Sequence, residues 1–215
     1  MQNVNRKTRK RETRLNNIVD AAEKVFFTKG YESTTLEDIA KEADIVRGTL
    51  YIYFKSKEDI YMAIAIRGSR KLTQLLAVTT DYDVTGIESL KLQLDIWHDF
   101  RINYPAYTEA YVRGYGLQQS AIEASRVNEF QKDIDFHGQK IREALETGIK
   151  DGTVEKAIEI SKIPMVFFSV LQSILLPSLQ LKANMKMHNV TLDELYNQSI
   201  NLLLRGITTQ NSLQS

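Results

Sequence analysis

The segment between Gly30 and Ser56 constrains this chain more than any other. Gly30 stops a helical pattern in which Leu15, Ile18, Val19, Ala22, Val25 and Phe26 recur at helical spacing. Thr35, with Asp38 three residues on, has a variant of the capping-box spacing and opens a short helix striped by Ile39, Ala40 and Ala43. Asp44-Ile45-Val46 breaks that helix, and a second short one is expected from Arg47 to Tyr53. Ser56 with Asp59 caps again and starts a long helix running from about Lys57 toward Val78. Two short helices joined by about three residues and braced by longer ones make a helix-turn-helix.

The remainder of the 215 residues reads as helical too. Thr85 with Glu88 opens a helix to about Asn103, and Pro105 suits the first turn of the next. A long helix is expected from about Gln119, its stripe being Phe130, Ile134, His137, Ile141, Leu145 and Ile149. After the turn at Asp151-Gly152 come two more, roughly Lys156 to Leu181, bent at its prolines, and Thr191 to Gly206. Three prolines and ten glycines leave little room for sheets joined by tight turns. The expected fold is all-α with about nine helices. Residues 1–60 are expected to form a three-helix domain with the helix-turn-helix at about 35–54, and residues 61–215 a larger helical body.

Charge and composition narrow the function. Arg6, Lys7, Arg9, Lys10, Arg11 and Arg14 face only Glu12. Such an arm is either a solvated terminus or a polyanion contact whose counterion release favours nucleic acid. There is no cysteine, which removes disulfides, thiolate metal sites and a cysteine nucleophile, and suits a reducing, cytoplasmic setting. His98, His137 and His188 lack any metal-site spacing, and no hydrolase, Walker or dinucleotide motif is found. Neither a metal, a cofactor nor an enzymatic activity is expected. The uncharged run Ile163–Leu181 is just long enough to span a bilayer, but Pro164, Pro177, Gln172 and Gln180 interrupt it. A helix buried at a subunit interface gives the same pattern, and no membrane partner is expected.

Ile18-x-x-Ala-Ala-x-x-x-Phe26-x-x-x-Gly30-Tyr31, Thr34-Thr35-Leu-x-x-Ile39-Ala40-x-x-Ala43 and Gly48-Thr49-Leu50-Tyr51-x-Tyr53-Phe54-x-Ser56-Lys57-Glu58 together closely resemble the TetR family of bacterial transcriptional regulators. The resemblance covers about residues 10–65. It departs at Val46, where a serine or another small residue is usual, and so removes a polar contact at the start of the recognition helix. From the residues alone, the stretch Ile45 to Lys57 carries Arg47, Lys55 and Lys57 and no acid. Arg47 at the helix start has the reach to fork onto guanine O6 and N7, and Gly48 lets the backbone approach. Thr49, Tyr51 and Tyr53 have the reach for phosphate, and Lys57 adds charge at a helix start. Tyr51 is read either as outward or as core, Tyr53 as outward, Leu50 and Phe54 as core. By resemblance these positions and Thr35 form the family's DNA-contact set.

The second half is rich in aromatics. Trp97, Phe100, Tyr104, Tyr107, Tyr111, Phe130 and Phe167, with Tyr115, Phe136 and Phe168 beside them, are read either as plain core or as the wall of a pocket. The resemblance favours a pocket for a small-molecule effector of unknown identity. The apolar run Ile163–Leu181 and the stripe Tyr196, Ile200, Leu203, Ile207 would leave much apolar surface on a monomer. Pairing the last two helices with their symmetry mates gives a homodimer through a four-helix bundle. The function implied is a repressor released from a near-palindromic double-stranded operator by its effector, or else a DNA-binding module without one.

Overall fold

The computed structural model describes residues 2–78 and 83–209, with side chains from Arg6 onward. Among the described residues ten α-helices follow one another: α1 (Gln2–Lys29), α2 (Leu36–Glu42), α3 (Arg47–Leu50), α4 (Lys57–Ala77), α5 (Gly86–Asn103), α6 (Pro105–Gly114), α7 (Ala124–Asp151), α8 (Ile163–Leu175), α9 (Leu179–Met187) and α10 (Leu192–Ile207). The only extended pairing among the described residues is an isolated bridge between Val154 and Thr208.

The helix starts lie where the capping residues put them. The hydroxyls of Thr35, Thr85 and Thr191 each accept the N–H three residues on, and the acid there returns a bond to the cap's own N–H. Gly30 leaves α1 with φ +80°, the left-handed conformation of a C-terminal glycine.

Three boundaries differ from the sequence reading. The second short helix stops at Leu50, because the chain turns there to bury Phe54 in the core. The long helix expected from Gln119 is preceded by a single 3₁₀ turn, Gln119–Ala121, and begins at Ala124. The helix expected from Lys156 to Leu181 is two helices. Residues 156–162 are not helical, and Pro164 occupies the first turn of α8, where its missing N–H costs nothing. Pro177 then ends the helix, and Ser178 caps α9 at 74° to α8. That extra break accounts for ten helices where about nine were expected.

α4 is central. One of its flanks packs on α1, and the rest lies against α6 and α7. Ile18, Ala22, Ile39 and Leu50 close the small N-terminal core on Ile60 and Ile64, while Leu72 and Leu76 reach into the larger core with Leu90, Leu94 and Leu145. The start of α5 crosses the end of α7 so closely that a methyl group on Gly86 would lie 2.0 Å from Gly148 N. Tyr196 ties α10 down by donating to the Leu94 carbonyl at 2.5 Å.

Candidate functional site

The recognition unit is held from behind and open in front. α2 is followed by a turn in which Asp44 takes φ +51°, a left-handed conformation that aspartate tolerates better than most residues. Leu50 and Phe54 are buried and peg α3 to the core. Arg47, Gly48 and Tyr51 are exposed and Thr49 is half-buried. Tyr51 therefore points outward. Tyr53, read as outward, is half-buried, its ring lying 5.7 Å from the Arg11 guanidinium. Val46 and Ile52, 74% and 67% exposed, are apolar residues on this open surface.

The acid-free stretch of sequence meets an acid in space. Arg47 pairs with Glu37 of α2 and donates to the Tyr51 hydroxyl at 3.1 Å. Both partners are more than half exposed, so the pair is solvent-screened and easily exchanged for another acceptor. Thr35 spends its hydroxyl on Asp38, whose carboxyl is held down at about 2, chiefly by the Lys29 bond and then by Thr35. Lys57 departs furthest from expectation. Its ammonium donates to the carbonyls of Tyr31 at 2.7 Å and Thr34 at 3.0 Å and sits 4.4 Å over the Tyr31 ring. It braces the α1–α2 turn, and those donors are engaged there instead of facing outward for phosphate.

Behind α3 lies a clasp between the two halves of the molecule. Asp59, fully buried, accepts Arg126 Nη1 on both oxygens at 2.8 Å. It also takes the N–H groups of Lys55 at 2.8 Å and Glu123 at 3.0 Å. Arg126 Nη2 donates to the Tyr53 carbonyl at 3.1 Å, and the guanidinium lies 4.5 Å from the Phe54 ring centre. The Ser56 hydroxyl adds a bond to the Ala121 carbonyl at 2.8 Å. The first turn of α7 is thus bonded directly to the exit of the recognition helix.

Further along α7 is a cavity of about 210 Å³ between α5, α6, α7 and α8. Trp97 and Tyr111 line it, with Tyr115, His137, Ile141 and Phe168. The other aromatics considered from sequence are placed elsewhere. Phe100 and Phe167 are core, and Phe130 packs over Gly114. Tyr104 lies under the Lys71 ammonium, and Tyr107 donates to Glu23 of α1. Among the described residues no group of His, Asp and Glu is set to hold a metal, and no single helix is long and apolar enough to cross a membrane.

Residues 18–64, the helix-turn-helix and its two bracing helices, match the model of the bacterial regulatory proteins of the tetR family. Residues 18–64 thus carry the DNA-binding region of the TetR family. It is 28% identical over 156 residues to the fatty acid metabolism regulator protein of Bacillus subtilis, covering 72% of this chain and 77% of that one. It is 50% identical over 44 residues to the biofilm operon negative transcriptional regulator IcaR of Staphylococcus aureus, which covers 20% of this chain and 24% of that one. Its fold is similar to that of the transcriptional regulator FadR of Bacillus subtilis in complex with stearoyl-CoA. The TM-score is 0.63 at 20% identity, over 89% of this chain and 98% of that one. The chain is a transcriptional regulator with an N-terminal DNA-binding helix-turn-helix of the TetR kind.

Several residues that matter in this geometry carry little signal in the sequence. Asp59 was visible only as a cap partner of Ser56, and Arg126 only as one charge on a long helix. Their union spans sixty-seven positions, beyond any local pattern. Ile52 carried no signal apart from being an apolar residue between two tyrosines.

Proposed function

We propose that this TetR-family chain is a homodimeric repressor that leaves a near-palindromic operator when a small apolar-tailed molecule enters the α5–α8 cavity. The observation that carries the reading is that one helix, α7, serves both sites. Arg126 in its first turn holds the Tyr53 carbonyl at the exit of α3, and His137 and Ile141, about 16 Å and about 22 Å further along, wall the cavity. A ligand shifts a conformational equilibrium only by its differential affinity for the two states. A ligand that re-seats α7 acts directly on the recognition unit.

On the operator, Arg47 exchanges Glu37 for guanine, and the exposed Val46 and Ile52 suit thymine methyl groups. Thr49 and Tyr51 reach phosphate, Gly48 permits close approach, and the basic face of α1 adds sequence-independent attraction. The homodimer forms through α8 and α10, where Met165, Val166 and Leu202 are exposed apolar residues. It sets two recognition helices about 34–36 Å apart. The fatty acid metabolism regulator and the stearoyl-CoA-bound neighbour support an acyl chain as the tail. At about 210 Å³ the cavity lies below the usual range for drug-sized ligands, so it holds part of such a molecule.

The test begins with selection of bound sequences from random DNA, followed by anisotropy titration of the selected duplex with and without acyl-CoA of several chain lengths. A palindromic site released by at least one of them is expected. A chain that stays monomeric, or binds all DNA alike at moderate salt, defeats the proposal.

A further inference from the structure

Three polar side chains that line the α5–α8 cavity, His137, Tyr111 and Tyr115, form a single hydrogen-bonded chain with Thr73 of α4 behind them. Thr73 Oγ1 lies 2.9 Å from His137 Nε2, His137 Nδ1 lies 3.0 Å from the Tyr111 hydroxyl, and that hydroxyl lies 2.8 Å from the Tyr115 hydroxyl. Both ring nitrogens of His137 are used inside the chain, and Tyr111 is engaged on two sides. Tyr115 is the terminal member. It lines the cavity with the Phe168 ring centre 4.6 Å from its own, and it retains hydrogen-bonding capacity.

A neutral imidazole offers one donor and one acceptor nitrogen, so the chain has two self-consistent proton arrangements. In the first, Thr73 donates to Nε2, Nδ1–H donates to Tyr111, Tyr111 donates to Tyr115, and the Tyr115 proton faces outward. In the second, Nε2–H donates to Thr73, Tyr115 donates to Tyr111, Tyr111 donates to Nδ1, and Tyr115 presents lone pairs only. The same terminus therefore donates or accepts according to what meets it.

No formal charge lies along this chain. Burial pushes the His137 imidazole down to about 3 and the Tyr111 and Tyr115 phenols up, so all three are neutral in ordinary conditions. The remaining wall residues Ile134, Ile141 and Leu171 are apolar, and the charged Asp135 and Arg142 are exposed residues at the rim. An anion brought to Tyr115 would lose its hydration near the Asp135 carboxylate, whose charge adds to burial in raising the Tyr115 phenol, while the one cation of the lining, Arg142, is an exposed side chain. A neutral oxygen needs only the one bond.

We propose that this cavity takes an uncharged, mainly apolar group bearing a single oxygen, recognised at the Tyr115 hydroxyl, and that it rejects a carboxylate at that position. Esters, thioesters and alcohols qualify equally. The inference rests on the reading of this cavity as the effector site and adds the chemistry that the site selects.

The test is calorimetric titration of the intact protein at neutral pH with methyl hexanoate, hexan-1-ol, hexanoate and heptane, repeated on Tyr115→Phe. The ester and the alcohol are expected to bind, with heptane about three- to tenfold weaker and hexanoate weaker by about tenfold or more. Tyr115→Phe should bring the ester and the alcohol down to the heptane level and leave heptane unchanged. Should that variant not fold by circular dichroism, the wild-type ranking still decides. Hexanoate binding as tightly as the ester, an ester preference that survives in Tyr115→Phe, or no binding by any of the four overturns the inference. If the neutral probes bind as ranked but release no operator, the ligand chemistry stands and the effector reading fails.

Discussion

Replacing Arg126 with alanine takes from the fully buried Asp59 the only side-chain cation that pairs with it among the described residues. Asp59 keeps its backbone donors at Lys55 and Glu123, but its charge is left in low dielectric without a counter-ion. The Tyr53 carbonyl loses its bond from the guanidinium at the same time. Breaking a buried pair from one side costs about 3–5 kcal/mol, a large share of the roughly 5–15 kcal/mol that holds a domain folded. Arg126→Lys keeps the charge but cannot reach Asp59 and Tyr53 with one fork, and should lose less than Arg126→Ala. Equilibrium urea unfolding followed by circular dichroism measures both, and operator titration with and without ligand measures coupling. Loss of ligand response in whatever folded Arg126→Lys remains is the expected companion. If Arg126→Ala unfolds within about 1 kcal/mol of the parent at an unchanged slope, the buried pair is not what joins the halves, and the coupling argument fails with it.

Other outcomes follow from single contacts. Arg47→Ala should lower affinity for the selected operator by about five- to a hundredfold and for random DNA far less; equal losses on both would remove its base-reading role. Lys57→Met should lower Tm by a few degrees, about 1 kcal/mol of the α1–α2 brace, while the salt dependence of DNA binding stays as in the parent. A salt slope smaller by about one unit would instead mark Lys57 as a phosphate contact. His137 titrates at about 3 when folded against about 6.5 unfolded, so below pH 6.5 the unfolded chain binds the extra proton. Stability should therefore fall as pH drops, by about 2 kcal/mol between pH 6.5 and 5, and His137→Gln should flatten that part of the curve. Identical pH profiles for the two proteins would mean that His137 is not buried as described.

Much of the fold was legible because its punctuation is local. Thr35, Thr85 and Thr191 open their helices where a hydroxyl followed three residues later by an acid said they would. The apolar spacing that includes Phe130, His137, Ile141 and Leu145 gives the buried face of α7. Ser56 shows where local reading runs out. Its hydroxyl does cap α4, but the Asp59 carboxylate, instead of returning to the cap, turns to Lys55 and Arg126, because a tertiary cation outcompetes a single backbone donor. The candidate contact surface was read from an acid-free run, yet Glu37 reached Arg47 from another helix. The aromatic cluster marked the right region, but helical spacing alone cannot say which rings turn toward a 210 Å³ space and which fill the core.

A recognition helix of four residues, pinned by Leu50 and Phe54 and exposed at Val46, Arg47, Gly48 and Tyr51, divides its labour by position. The outward side chains carry almost none of the packing, so replacing them leaves the scaffold's stability nearly untouched. A lineage with this architecture is free to rewrite which promoters it attends to by changing a few surface side chains, while the packed body behind them is inherited intact.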